Sequence, residues 1–138
     1  MSRTALALLH ASLGVLTVTG AVYAWMKYAM RADDPFTVVN HPWQPAMLAV
    51  HVVAAPLGVF GLGWLTGAHV WPRLRSREAP GRVSGLLLVT CGAPMILSAY
   101  VLQAAVSDVL RTTARVTHWA ASGAFVLGYL THVWIRRV

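Results

Sequence analysis

The side chains with most chemistry to offer in this 138-residue chain are its six histidines, because little else in it can titrate, ligate or attack. The carboxylates are Asp33, Asp34, Glu78 and Asp108, all in polar connections or at the edges of apolar stretches, and the one cysteine is Cys91. A single cysteine excludes a disulfide framework, and the lack of a C-x-x-C-H run excludes covalent c-type haem attachment. Cys91 itself reads as a small packing residue. No nucleophile, base and acid occur together, so no catalytic residue is assigned and any chemistry must come from a bound cofactor.

Five of the histidines lie inside apolar stretches: His10 in the first, His51 and His69 in the second, His118 and His132 in the fourth. An ionisable group in hydrocarbon is expensive, which makes each one a functional candidate. A neutral imidazole in apolar surroundings is also a ready metal ligand. His118 and His132 are 14 residues apart, which on a helix returns to within about 40° of one face and separates them by roughly 21 Å. Two metal centres can therefore stack at different depths on that face, with Phe125 midway between them. Gly14, one turn after His10, and Gly128, one turn before His132, offer room for a flat macrocycle against the backbone. The same glycines also suit plain helix packing.

Depth selects the pairs. His51 and His118 stand early in the second and fourth stretches, which run in the same direction, so they share a level near the periplasmic face. For His132 two mates compete. The level of His132 on the second stretch is Leu65, which leaves His69 four residues, about 6 Å, too far along. His10, about six residues inside the opposite face, matches better; His69 stays open as the alternative, as does a chain in which neither completes the pair. A closed zinc site gathers four ligands, commonly including thiolate or carboxylate. Two imidazoles at each level instead suit the axial positions of b-type haem, and filling both iron faces favours electron transfer over oxygen activation.

The elements that must hold these residues are apolar. The chain is 57% hydrophobic and 11% charged, with a mean hydropathy of +0.61, where a soluble domain carries about a quarter charged residues. Four stretches, 4–30, 43–71, 83–106 and 114–135, are each long enough to span a bilayer with some tilt. Short links between them predict one all-α domain over 1–138, an integral-membrane four-helix bundle with up-down-up-down topology. Unbroken apolar runs exclude a β-barrel. The first stretch has small residues, Val22 and Ala24, placed as in a signal-peptide cleavage site, but its apolar run is too long for an h-region.

Arg3, Arg73, Arg75, Arg77, Arg82, Arg136 and Arg137 fall on one side of such a bundle, and Lys27, Arg31, Arg111 and Arg115 on the other. The positive-inside rule then puts both termini in the cytoplasm. The net charge of +7 reports contact with lipid headgroups at span ends, not nucleic-acid binding. Arg115, three residues before His118, and Arg111 are candidates for pairing haem propionates, with interfacial anchoring as the plainer account. Trp25, Trp43, Trp71, Trp119 and Trp134 sit where an aromatic belt would lie. The segment Asn40-His41-Pro42-Trp43-Gln44-Pro45 reads as a cap and lead-in turn for the second span in preference to a quinone or partner site.

Taken together, LLHASLGVLTVTG with its histidine and a glycine ten residues on, His51, and ARVTHWAASGAFVLGYLTHVWIRR resemble the bacterial membrane di-haem cytochromes b of the cytochrome b561 type and the cytochrome b subunits of respiratory oxidoreductases. The resemblance covers the whole four-span chain. It implies two b-type haems held by one histidine from each of the first and second spans and two from the fourth, here His10, His51, His118 and His132. It further implies electron transfer across the bacterial inner membrane between the quinone pool and a periplasmic or membrane redox protein. A haem-bearing anchor subunit of a larger oxidoreductase, without turnover of its own, and a haem-free accessory membrane protein are the alternatives. Two features depart from the pattern: Ala11 follows His10 where the family often has Trp, and His69 is additional. GLGWLTGAHVW around His69 echoes VLGYLTHVW around His132, which points to an internal repeat.

Overall fold

The computed structural model describes residues 2–32, 34, 36–76 and 82–135. Among these the chain is helical, without strands: α1 (Arg3–Tyr28), α2 (Gln44–Leu65), a π-helical turn (Thr66–Val70), the short α3 (Trp71–Arg75), α4 (Arg82–Ala104) and α5 (Asp108–Ile135). Arg77, Arg136 and Arg137 of the charge asymmetry, with Asp33, Pro35 and Glu78, lie outside the described residues. Three helices are long and apolar enough to cross a membrane, Arg3–Tyr28, Gln44–Arg75 and Val83–Ala104, with mean hydropathies of 1.8, 1.9 and 1.9.

The fourth expected span is a helix of 28 residues but is not one of those three. It starts at Asp108 rather than at 114, and so takes Asp108, Arg111 and Arg115 into its first turns. Asp108 complements the positive end of the helix dipole there. Arg111 ties the turn, its backbone N–H donating to the Ser107 carbonyl at 2.9 Å and its guanidinium to the Ala105 carbonyl at 2.9 Å. The link between α4 and α5 is reduced to three residues by this extension.

The chain divides into two compact units, Met1–Leu65 and Thr66–Val138. In the first, α1 packs on α2. Ser2 caps α1 by accepting the Ala5 N–H at 3.1 Å. Leu9 and Leu13, one turn apart, are buried. Leu9 lies over Gly61, Leu16 over Gly58 and the His51 ring over Gly20. Each glycine lets the opposing side chain reach the backbone, as small residues do where apolar helices pack closely.

The connection from α1 to α2 is a capping structure. Gln44 Oε1 accepts the Asn40 N–H at 3.2 Å, Asn40 Nδ2 donates to the Lys27 carbonyl at 2.8 Å, and His41 Nδ1 accepts the Trp43 N–H at 3.1 Å. These bonds satisfy donors and acceptors left over at two helix ends. They give the Asn40–Pro45 segment the lead-in role expected of it.

In the second unit α4 packs on α5. The Phe125 ring lies against Gly92, and Leu87 and Leu88 lie against Gly128. Pro56 in α2 and Pro94 in α4 each remove one backbone donor from a helix interior. Many large apolar side chains point outward in both units, Val53 at 76% exposure and Phe60 at 70% among them, a surface that calls for an apolar surrounding.

Candidate functional site

His51 stands in the second turn of α2, half-buried, with its ring on α1. Its Nδ1 lies 3.0 Å from the Leu16 carbonyl and 3.2 Å from Thr19 Oγ1. A carbonyl only accepts, so Nδ1 carries the proton and the ring lone pair resides on Nε2. The Thr19 hydroxyl donates its own proton to the Val15 carbonyl at 2.6 Å, leaving its oxygen to accept from the imidazole. Gly20 admits this arrangement: a Cβ there would lie 2.9 Å from His51 Cε1 and 3.2 Å from Nδ1.

The second unit repeats the construction. His118 of α5 puts Nδ1 2.9 Å from the Met95 carbonyl and 3.4 Å from Ser98 Oγ. Ser98 donates to the Pro94 carbonyl at 2.6 Å. In both units the imidazole meets a carbonyl and the hydroxyl three residues later, and that hydroxyl is turned back to the carbonyl four residues before it. One turn from the far end of α5, His132 Nδ1 meets Ser84 Oγ of α4 at 2.7 Å. A hydroxyl can donate or accept, so this bond orients the ring without selecting the tautomer.

His118, Phe125 and His132 therefore share the side of α5 that meets α4, as their spacing predicts. Phe125 is buried, and stacks on Tyr129 with ring centroids 6.5 Å apart and planes 5° from parallel. The room expected beside Gly128 is filled by Leu87 and Leu88, 3.4 Å from where a Cβ would stand; this glycine serves packing. Beside Gly14 no atom lies within 4 Å. His10, one turn earlier, is on an exposed part of α1 while its neighbour Leu9 faces α2. His69 is half-buried on the π-helical turn.

The two arginines differ. Arg111 is engaged by the Ala105 carbonyl and lies 3.9 Å from Asp108; Arg115 is exposed on α5 three residues before His118. Among the described residues no three His, Cys, Asp or Glu side chains gather as a metal site would need for a closed cage. Thr19, Ser84 and Ser98 carry no spacing that marks them in the sequence. Their signal is weak, because a hydroxyl in an apolar helix ordinarily bonds its own backbone.

No family model, curated protein or solved structure matches this chain.

Proposed function

We propose that this chain is a membrane-spanning di-haem cytochrome b that carries electrons between the quinone pool and a redox partner. The observation that carries the reading is the anchoring of three of the four expected ligands by Nδ1, His51 to a carbonyl, His118 to a carbonyl and His132 to a hydroxyl. Metal-bound imidazoles characteristically donate their other ring N–H to such a group, which fixes the ring and raises its basicity. For His51 and His118, whose Nδ1 carries the proton, these contacts support binding of an iron porphyrin through Nε2. His51 with His118 would hold one haem and His132 with His10 the other, with His69 the competing mate for His132.

When bound, the haems supply reversible one-electron chemistry, and bis-imidazole ligation directs it toward electron transfer. The chain's own contribution is positional. The carbonyls of Leu16 and Met95 hold the rings in one tautomer, and Phe125 occupies the stretch of α5 between its two ligands. Apolar helices exclude water and lower the dielectric around the centres. Arg115 offers a cation to a propionate on the level of His118. Three helices of spanning length and their outward apolar side chains support insertion in a bilayer, in this reading the bacterial inner membrane with both termini cytoplasmic.

The test is the dithionite-reduced spectrum of the protein purified in detergent, with haem quantified as its pyridine complex. The expected result is a b-type α band and two haems per chain, reducible by a quinol analogue. A purified, folded protein without that band refutes the assignment.

A further inference from the structure

Thr19, Gln44 and Ser98 are the buried polar residues among those described, at 8%, 8% and 6% exposure. Gln44 is accounted for by its bond to the Asn40 N–H. Each of the other two closes a triangle with an imidazole and a carbonyl inside its own helix pair. Thr19 Oγ1 lies 3.2 Å from His51 Nδ1 and 3.4 Å from the Leu16 carbonyl, which the same Nδ1 meets at 3.0 Å. Ser98 Oγ lies 3.4 Å from His118 Nδ1 and 3.0 Å from the Met95 carbonyl, which that Nδ1 meets at 2.9 Å. The shortest contact of each hydroxyl lies outside the triangle, at 2.6 Å to the carbonyl four residues back, Val15 for Thr19 and Pro94 for Ser98. That contact takes the hydroxyl proton.

The destination of that proton decides which ring nitrogen can bind a metal. A neutral imidazole has one N–H and one lone pair, and its neighbours select which nitrogen holds which. A hydroxyl that donated to Nδ1 would draw the lone pair there and put the ring proton on Nε2, where it blocks ligation. With its proton spent on the helix, the hydroxyl only accepts, and it agrees with the carbonyl in demanding a proton on Nδ1. We infer that Thr19 and Ser98 are positioning residues, Thr19 for His51 and Ser98 for His118, each presetting its ring within its own helix pair with Nε2 open before a metal arrives. The inference rests on the proposed function only for the identity of what Nε2 binds, haem iron; the ring tautomer belongs to the chain without haem.

A hydroxyl in an apolar helix ordinarily satisfies itself on its own backbone and does no more. Here two that do so stand three residues after the carbonyl that receives an imidazole, once in each unit. The distances order their contributions: Thr19, at 3.2 Å, should act more strongly on its ring than Ser98 at 3.4 Å. Once iron is bound, the two acceptors draw on the same N–H, which raises ligand basicity and favours the ferric state.

NMR of the purified full chain in detergent, prepared without haem and with isotope-labelled histidine ring nitrogens, tests this at a pH where the rings are neutral. His51 and His118 should each show a protonated Nδ1 and an unprotonated Nε2. Thr19→Val, which keeps the side-chain shape, should move only the His51 N–H proton upfield, as loss of an acceptor does; Ser98→Ala should move only that of His118, and less. Thr19→Ser and Ser98→Thr keep the hydroxyl and should retain the wild-type resonances, which separates hydrogen bonding from packing. In the loaded protein, Thr19→Val should raise the midpoint potential of whichever α-band component His51→Ala depletes, within about tenfold in the ratio of reduced to oxidised haem, or about 59 mV for one electron. A protonated Nε2 in either ring, a mixture of tautomers, or His51 resonances unmoved by Thr19→Val overturns the inference. The expected tautomers in a chain that takes up no haem would instead uphold it and refute the proposed function.

Discussion

Gly20→Ala is the sharpest structural test of how His51 is held. The added Cβ would stand 2.9 Å from His51 Cε1 and 3.2 Å from Nδ1, whereas carbon atoms pack best at about 3.5–4.0 Å. Relief requires the ring to withdraw by roughly 0.6 Å, which would stretch its 3.0 Å contact with the Leu16 carbonyl toward the limit of a hydrogen bond. Loss of that bond costs about 1 kcal/mol and local overpacking about 1–3 kcal/mol, while alanine returns about 1 kcal/mol of helix propensity. The net destabilisation expected is about 1–3 kcal/mol. The second unit indicates how the fold can adapt: Ala99 stands four residues after Met95 as Gly20 does after Leu16, and there the hydroxyl contact has lengthened to 3.4 Å. Gly20→Ala should therefore leave a folded protein in which the haem proposed for His51 is altered. The assay is the low-temperature reduced spectrum with haem stoichiometry, alongside thermal unfolding in detergent. A variant with both α-band components unchanged in position and amount would refute the close-approach argument.

Gly14→Ala separates packing from cofactor contact at the other level. No atom lies within 4 Å of the new Cβ, so the haem-free chain should gain up to about 1 kcal/mol in thermal unfolding, while reconstitution should lose one haem if a macrocycle lies against this turn. His10→Ala should remove one haem and His69→Ala none; the opposite result in haem stoichiometry reverses the assignment of the mate of His132. Arg115→Gln should lower the midpoint potential of the haem proposed for His118, because a nearby cation favours the ferrous state, with haem content retained. Arg111→Gln, which gives up a guanidinium bond to the Ala105 carbonyl, should lower stability by about 1–2 kcal/mol without moving either potential.

Helix positions were legible in the sequence because apolar runs of about 20 residues leave little choice but helices. The helix α5 begins six residues before its apolar stretch. Apolarity begins at Ala114, but the helix begins where Asp108 and Arg111 can satisfy its first turn, and charged residues at a helix start look like a connection when hydropathy alone is read. The face shared by His118, Phe125 and His132 followed from the 3.6-residue period. The space beside Gly128 could not be read, because whether a glycine faces a leucine or a gap depends on the neighbouring helix. The same holds for Thr19, Ser84 and Ser98, whose partners lie 32, 48 and 20 residues away in the chain.

The repeat in the sequence around His69 and His132 acquires a physical meaning from the π-helical turn. Leu62, Gly63, Leu65 and Thr66 correspond in order to Leu127, Gly128, Leu130 and Thr131, but Gly67 and Ala68 then intervene before His69, where His132 follows Thr131 directly. Two extra residues turn an α-helix by about 200°, which would carry the histidine to the opposite face. A π-helical turn accommodates extra residues within a continuous helix, and here it spans Thr66–Val70, the segment that contains them. His69 thus stands on the π-helical turn and His132 on regular α-helix, so the two histidines are not equivalent despite their matching surroundings. The equivalence in this protein lies instead between His51 and His118, whose surrounding sequences share no obvious motif but whose rings meet the same carbonyl and hydroxyl pair. A repeat in sequence and a repeat in bonding thus select different histidines, and ligand chemistry depends on the bonding.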